Sequence, residues 1–232
     1  MTPTDAERLA QQQLADRTMV TLRPLAGPLA LGFLGLAGAS FVVAGLQLGW
    51  VEPAEGKKVA LVILAFTVPL QLLAAIIGFL ARDAVAATGM GLLSGIWASF
   101  ALVTFTSKPG STSDALGLFL LLAFVAMLAP ATAALSSKLV PALVLGSAAI
   151  RFGLGGLHQL TGDEIWENLS GLWGLWLTAV AVYAAYATEL EDALKRPVLP
   201  FGRRGRGEKA VQGTYAQQIA EVHKEPGVRQ QL

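Results

Sequence analysis

The sequence contains no cysteine and few charged residues. Without cysteine, a disulfide framework, a thiolate metal site and cysteine-based catalysis are all excluded. Charged residues make up 14% of the 232 residues, whereas an ordinary soluble domain carries about 25%. Hydrophobic residues make up 54%. This composition is typical of a protein embedded in a membrane and argues against a water-soluble domain of this size.

Histidine is also scarce, and the two present, His158 and His223, lack the spacing of a metal site. The apolar segments hold no paired acids, no histidine pair and no serine–histidine arrangement. The sequence therefore predicts no catalytic residue, no metal and no cofactor, and it disfavours an intramembrane enzyme. His158 lies near Asp163, Glu164 and Glu167 in the sequence, which suggests a cation site, but a water-satisfied polar turn at the membrane surface is the favoured interpretation.

Six long apolar segments dominate what the sequence does contain. Each is close to the length of about 20 residues that a helix needs to cross a bilayer. An open strand cannot satisfy its backbone groups in hydrocarbon, and the continuous apolar run 116–128 contradicts the alternation of a membrane β-barrel. We therefore predict an all-α, polytopic membrane protein. Its six spans are predicted at 28–49, 59–80, 84–106, 115–135, 139–157 and 169–188.

Lysine and arginine are distributed unevenly around these spans. Eleven lie in the terminal segments up to residue 209 and in the second and fourth loops, and three lie in the other three loops. The positive-inside rule predicts that both termini face the cytoplasm, in a multi-pass protein of the plasma membrane. The predicted organisation is a cytoplasmic segment (1–26), a six-helix domain (27–188), a membrane-proximal segment (189–202) and a basic, disordered tail (203–232).

The two ends of the chain differ from the spans in composition. Acids and three glutamines precede the first span, unlike a cleaved signal peptide, so we expect that span to be retained. After Leu199 come interleaved arginines and glycines and then a polar tail, which is typical of a disordered extension with a basic patch. Anionic lipid accounts for such cations beside a membrane, so lipid is the expected partner and nucleic acid is not.

Arg151 is the exception among the spans, because it lies twelve residues after the start of the fifth. A cation near the middle of a bilayer costs from about 2.5 kcal/mol upward, so it should face the bundle interior or an aqueous path. No acidic residue lies in any predicted span to pair with it. We expect a mobile anion, water or carbonyl dipoles as its partner. A purely structural bond to backbone carbonyls stays open as the alternative.

Other polar and small residues inside the spans suggest contacts between helices. Glycines at positions 32, 35 and 38 form a ridge that lets helix backbones approach closely. Pro69 lies inside the second span and is expected to kink it. The remaining polar groups, which can bridge helices or donate to a carboxylate, are Gln47, Thr67, Gln71, Thr88, Ser94, Ser147 and Thr178.

Several motifs, in helix order, resemble the acetate uptake transporter family, also called succinate-acetate permeases. The first span begins GPLALGFLGL at 27–36, which is similar to the family signature NPAPLGLxGF. The closing VLPFG at 198–202 is similar to the family's VLPxG, and the resemblance runs over 22–202. The positions that carry it are Gly27, where the family has Asn, and Pro28, Leu31, Gly32, Gly35, Gln71, Thr88, Trp97 and Tyr183.

The resemblance implies uptake of acetate or a related small carboxylate, either proton-coupled or passive, by a homo-oligomer that is hexameric in the family. It also implies a pore narrowed at Leu36, Leu93 and Ala148, where the family more often has Phe, Tyr and Leu. Arg151 follows Ala148 by three residues and so lies on nearly the same helix face. We predict a monocarboxylate channel or transporter in which Arg151 attracts the anion to the path.

Two other functions stay open. One is a non-transporting membrane scaffold or sensor whose basic tail recruits a cytoplasmic partner. The other is a channel for a different small solute, such as water or ammonium, although Arg151 would repel ammonium.

Overall fold

The computed structural model describes residues 25–194, 196–205 and 208. Within them, six helices are long and apolar enough to cross a membrane. The all-α, six-span prediction is confirmed. Residues 1–24 of the predicted N-terminal segment and nearly all of the predicted tail lie outside the described residues. The helices are α1 (Leu29–Gln47), α2 (Pro53–Leu80), α3 (Ala84–Thr106), α4 (Asp114–Leu135), α5 (Leu139–Thr161) and α6 (Glu164–Leu194).

Three helices extend beyond their predicted spans by more than one residue. α2 begins at Pro53 instead of residue 59, α5 ends at Thr161 instead of 157, and α6 covers Glu164–Leu194 instead of 169–188. Hydropathy marks only the part of a helix that suits hydrocarbon, whereas the backbone hydrogen bonds continue into polar sequence. Glu164 and Glu167 lie in the first turn of α6, where their negative charges interact favourably with the positive end of the helix dipole and stabilise the early start of the helix.

The six helices alternate in direction, so the start of α1 and the end of α6 lie at the same end of the bundle. We call this the terminal end and the opposite one the distal end. A Cβ added to Gly27 would lie 2.6 Å from Asp192 Oδ2, which places the two ends of the domain side by side. The most extensive packing joins α4 to α5, α2 to α3 and α1 to α6. One apolar cluster contributed by all six helices forms the core.

α2 contains a π-helical turn at Ile63–Thr67, which ends two residues before Pro69. Proline has no N–H to donate to the carbonyl four residues earlier, and its ring would clash with that carbonyl, so the backbone widens. The expected irregularity therefore takes the form of a π-bulge. The Thr67 hydroxyl donates to the Gly35 carbonyl at 2.9 Å, which fixes the bulge against α1.

At the terminal end, residues 197–205 form a strap across the start of α5. Lys138 precedes that helix and supplies no side-chain cap. Instead, the Leu139 and Val140 amides donate to the Gly202 and Phe201 carbonyls at 3.0 and 3.3 Å. These amides would otherwise lack partners, because the first turn of a helix has no carbonyl to receive them. The strap is thus the N-terminal cap of α5.

Side chains hold this strap and the neighbouring loops in place. The Tyr183 hydroxyl donates to the Pro200 carbonyl at 2.7 Å, and Arg203 forms an ion pair with Glu191 on α6. Arg203 lies in the part of the chain that the sequence assigns to the tail. Asp83 and Lys138 join the α2–α3 and α4–α5 loops through an ion pair of 2.6 Å. Burial raises the pKa of the Asp83 carboxyl. The charge of Lys138 and the hydrogen bonds together lower it by a larger amount, so the net pKa lies below its ordinary value.

Candidate functional site

The three predicted pore residues all lie in the core. Leu36 on α1, Leu93 on α3 and Ala148 on α5 are each fully buried and belong to one apolar cluster. Small residues draw the helices together at this depth, since a Cβ at Gly32 would overlap the Met90 sulfur and one at Gly35 would crowd Gln71. Their role as a constriction stays a prediction.

Gln71 places an unsatisfied amide inside this core. Its side chain is fully buried, and neither amide atom has a hydrogen-bond partner among the described residues. It lies one turn beyond Val68, whose carbonyl accepts a 3.0 Å bond from Ser94, the residue after Leu93. Leaving such a group unbonded costs about 1–3 kcal/mol per donor or acceptor, so water or a solute is the expected partner.

Arg151 lies in a second polar cluster, built by α1, α5 and α6. Its Nη1 donates to the Ser170 carbonyl at 2.6 Å, and its Nη2 donates to Gln47 Oε1 at 3.4 Å. The Gln47 amide nitrogen donates to Ser170 Oγ at 3.2 Å. Arg151 is 3% exposed, and none of the ion pairs among the described residues includes it. The guanidinium is therefore bonded to a backbone carbonyl, one of the partners expected from the sequence, and to one side-chain amide.

Gly174 on α6 makes room for this guanidinium. A Cβ at Gly174 would overlap Nη1 and lie within 2.6 Å of the Arg151 Cζ atom. The guanidinium also lies over the Trp97 ring, with 5.8 Å between Cζ and the ring centroid. Trp97 is itself buried, and its indole N–H has no acceptor among the described residues.

The sequence predicts that Arg151 lies near the middle of the bilayer. In the structure, its guanidinium lies closer to the distal end than that. Its backbone is central in α5, but its partners are the last residue of α1, Gln47, and the seventh residue of α6, Ser170. At a rise of about 1.5 Å per residue, Ser170 is about 9 Å from the start of its helix. The C-terminus of α1 also carries a partial negative charge that favours a cation beside it.

An open cavity at the distal end borders this cluster at Gln47. Gln47 lines the cavity and is hydrogen-bonded to Arg151, so it contacts both. The titratable groups along the cavity are Lys57, Lys108, His158 and Glu167. Basic groups therefore outnumber acids around an opening that ends close to a buried cation.

His158 contacts only part of the acidic group near it in the sequence. Its Nε2 lies 3.9 Å from a Glu167 carboxylate oxygen, and its Nδ1 lies 3.3 Å from the Asp163 backbone carbonyl. No group of three or more His, Cys, Asp or Glu side chains in the described ranges is arranged to hold a metal ion.

The motif positions are distributed between packing and the polar clusters. Pro28 precedes the first residue of α1, Leu31 is partly buried, and Thr88 is exposed on the side of α3. Trp97 and Gln71 contribute unpartnered polar atoms, and Tyr183 fastens the strap. Sequence reasoning missed the roles of Ser170 and Gly174, although glycines at 171 and 174 in an otherwise bulky segment mark a place where something packs closely.

Comparison with known proteins agrees with this architecture. The family model described as the GPR1/FUN34/yaaH family matches residues 11–195. The fold is similar to that of the solved structure titled "Structure of the bacterial acetate channel SatP", with a TM-score of 0.69 and 22% sequence identity. That match covers 77% of this chain and 100% of the other.

No curated protein matches the sequence. The predicted family is confirmed, and it is a family of channels or transporters, so the chain is not an enzyme. Four-fifths of the chain falls within the family match, because 185 of 232 residues lie between positions 11 and 195. This chain belongs to the GPR1/FUN34/yaaH family.

Proposed function

We propose that this protein is a membrane channel or transporter for acetate or a related small monocarboxylate anion. Family membership and the fold shared with a bacterial acetate channel support this assignment. The observation that carries it is Arg151, a buried cation in no ion pair among the described residues, whose partner Gln47 lines an open cavity.

The energetics of Arg151 favour an anion. Placing an arginine inside a membrane costs at least about 2.5–3.5 kcal/mol, and the neutral dipoles of Ser170 and Gln47 offset only part of a full charge. A passing carboxylate supplies the missing charge. A channel for ammonium or another cation would instead meet repulsion at this depth.

The proposed path runs from the distal cavity past Gln47 and Arg151 to the level of Leu36, Leu93 and Ala148. Gln71 lies at that level, where its free amide would donate to a carboxylate that has lost its water. The path then continues to the terminal end. We further propose, from the family resemblance, that the protein is a homo-oligomer, hexameric as in the family, in the plasma membrane with both termini cytoplasmic.

Uptake of labelled acetate into liposomes that contain the purified protein tests the proposal. Substituting Arg151→Gln should lower protein-dependent uptake by about tenfold or more, because the anion then loses its charged partner on the path. An imposed pH gradient separates proton coupling from passive conduction, after correction for acetic acid leak through empty liposomes.

Lys58→Gln is the matched control, since Lys58 is an exposed distal cation that does not line the cavity. It should leave uptake within about twofold of the parent, as expected for a screened surface charge. Folded protein without uptake above empty liposomes would contradict the proposal and favour another solute or a scaffold role.

A further inference from the structure

The side chain of Gln47 occupies the position next to Arg151 that opens to the cavity. Its carbonyl oxygen lies 3.4 Å from Nη2, which is longer than the usual N–H···O range of about 2.7–3.2 Å. Among the described residues, its amide nitrogen is anchored by the Ser170 hydroxyl alone, at 3.2 Å. The carboxamide is therefore a weak and displaceable partner for a buried guanidinium.

A carboxylate would bind the guanidinium more strongly in the same place. Bonds between guanidinium and carboxylate groups are about 2.7–2.9 Å long and about twice as strong as neutral ones. Of the five N–H donors of Arg151, one is well bonded to Ser170 and one is weakly bonded to Gln47. In the described part of the chain, donors thus remain for a ligand with two acceptor oxygens.

Trp97 provides a second and independent observation. Its indole N–H is buried and unpartnered among the described residues, whereas the indoles of Trp173 and Trp176 both donate to Ser147, at 2.9 and 3.3 Å. The ring of Trp97 packs edge-on against Phe100 and Phe152, at centroid distances of 5.8 and 5.6 Å. An anion at the guanidinium would lie beside this aromatic group, one member of which, Phe100, also lines the cavity.

We infer that Gln47 holds the place of the substrate carboxylate, and that a small monocarboxylate entering from the distal cavity displaces its carboxamide to bind Arg151. The inference rests on the proposed function, because it names the first binding site on the proposed path. The short apolar end of the anion packs against the aromatic group. Gln47 is then a specificity residue, since a neutral solute lacks the charge that displaces it.

A tethered carboxylate tests this site directly. Gln47→Glu keeps the size and reach of the side chain but places a permanent carboxylate beside Arg151. Thermal unfolding of the purified protein would be followed in sodium acetate and in sodium chloride of equal ionic strength. The parent should show a higher Tm in acetate, because ligand binding to the folded state raises stability, and Gln47→Glu should lose that difference.

Gln159→Glu is the matched control for charge. Gln159 lines the same cavity and accepts a 2.9 Å bond from the Ser113 amide, which a carboxylate can also accept, and it makes no bond to Arg151. This variant should keep the acetate-dependent Tm increase. Gln47→Glu should in addition unfold at a Tm no lower than that of the parent, which excludes misfolding as the cause of lost binding.

Uptake measured on the same preparations separates the site from the proposed function. A parent that binds acetate, with loss only in Gln47→Glu, supports the site even if uptake is absent, whereas absent uptake contradicts the proposed function. The inference is overturned if the parent shows no acetate-dependent Tm increase, if Gln47→Glu retains it, or if Gln159→Glu loses it equally.

Discussion

The terminal and distal ends of the bundle differ in how they hold their most buried charges. At the terminal end, Asp83 pairs with Lys138 and Glu191 pairs with Arg203, and the strap closes over the start of α5. Near the distal end, Arg151 is buried and belongs to no ion pair among the described residues, and a cavity opens beside it.

This difference shows which of the buried charges folding stability alone can explain. Paired charges and a capped helix are explained by stability, because each buried group has its partner within the chain. A cation with neutral partners, beside an unpartnered indole N–H, is not explained in that way. The distal cluster is therefore where we place anion binding, and the four predictions below test the contrast between the two ends.

The largest effect is expected from Gly174→Ala, which fills the space that Arg151 occupies. The guanidinium must move, so uptake should fall by about tenfold, and overpacking should cost about 1–3 kcal/mol of unfolding free energy. Transport assays together with thermal unfolding measure both. Gly95→Ala is the control, since no atom of the described residues lies within 4 Å of its added Cβ. Equal uptake by the two variants would contradict a positional role for Gly174.

At the terminal end, Gly202→Ala should weaken the cap of α5 without altering the anion site. Gly202 has a φ of 66°, and an added Cβ would lie 2.7 Å from Leu139 Cβ. Strain of both kinds should lower the unfolding free energy by about 1–2 kcal/mol. The acetate-dependent Tm increase should persist. Its loss would show that the two ends are coupled.

A smaller effect is expected from Asp83→Asn, which keeps a side-chain cap for α3 but removes the ion pair with Lys138. The pKa of the Asp83 carboxyl is lowered in the folded protein, so the ion pair stabilises the fold above its unfolded pKa of about 3.9. That stabilisation disappears as pH falls through the lowered folded pKa.

We expect the parent to exceed Asp83→Asn by about 1 kcal/mol at neutral pH, since both partners are mostly buried. The gap should narrow only below about pH 4 in unfolding experiments across pH. A gap that is constant down to strongly acidic pH would mean that the carboxylate charge contributes nothing.

The smallest effect is expected from Lys108→Gln at the mouth of the distal cavity. An exposed cation raises the local anion concentration only modestly, so uptake at low salt should fall by about twofold. The difference should vanish near 1 M salt, where the screening length is about 3 Å. Salt-independent loss of uptake would show that Lys108 binds the substrate directly.

Much of the fold can be read from the sequence. Apolar runs of bilayer length, separated by short charged loops, predict six helices because hydrocarbon leaves the backbone no alternative. The predicted start of α3 and the predicted ends of α2 and α4 match the structure. The start of α2 at Pro53 and both ends of α6 were not predicted correctly, because hydropathy does not report where backbone hydrogen bonding stops.

The candidate site was less accessible to sequence reasoning. Arg151 is identifiable as a misplaced charge, but Ser170 and Gly174 are ordinary residues for a membrane helix. They become part of the site only because α5 and α6 pack antiparallel with those positions level. Gln47, 104 positions from Arg151, is brought to it by the packing of α1 on α6.

The sequence by itself determined that this is a six-span helical membrane protein of a transport family with one anomalous cation. The spans and the cation follow from local composition and spacing, because a bilayer requires apolar segments to form helices, whereas the family was indicated by the resemblance of several motifs. Only the tertiary structure decided which neutral groups face that cation, that its head group lies toward the distal end, and that the C-terminal strap caps α5. Such contacts depend on how helices are rotated and packed against one another, and no local pattern in the chain encodes that arrangement.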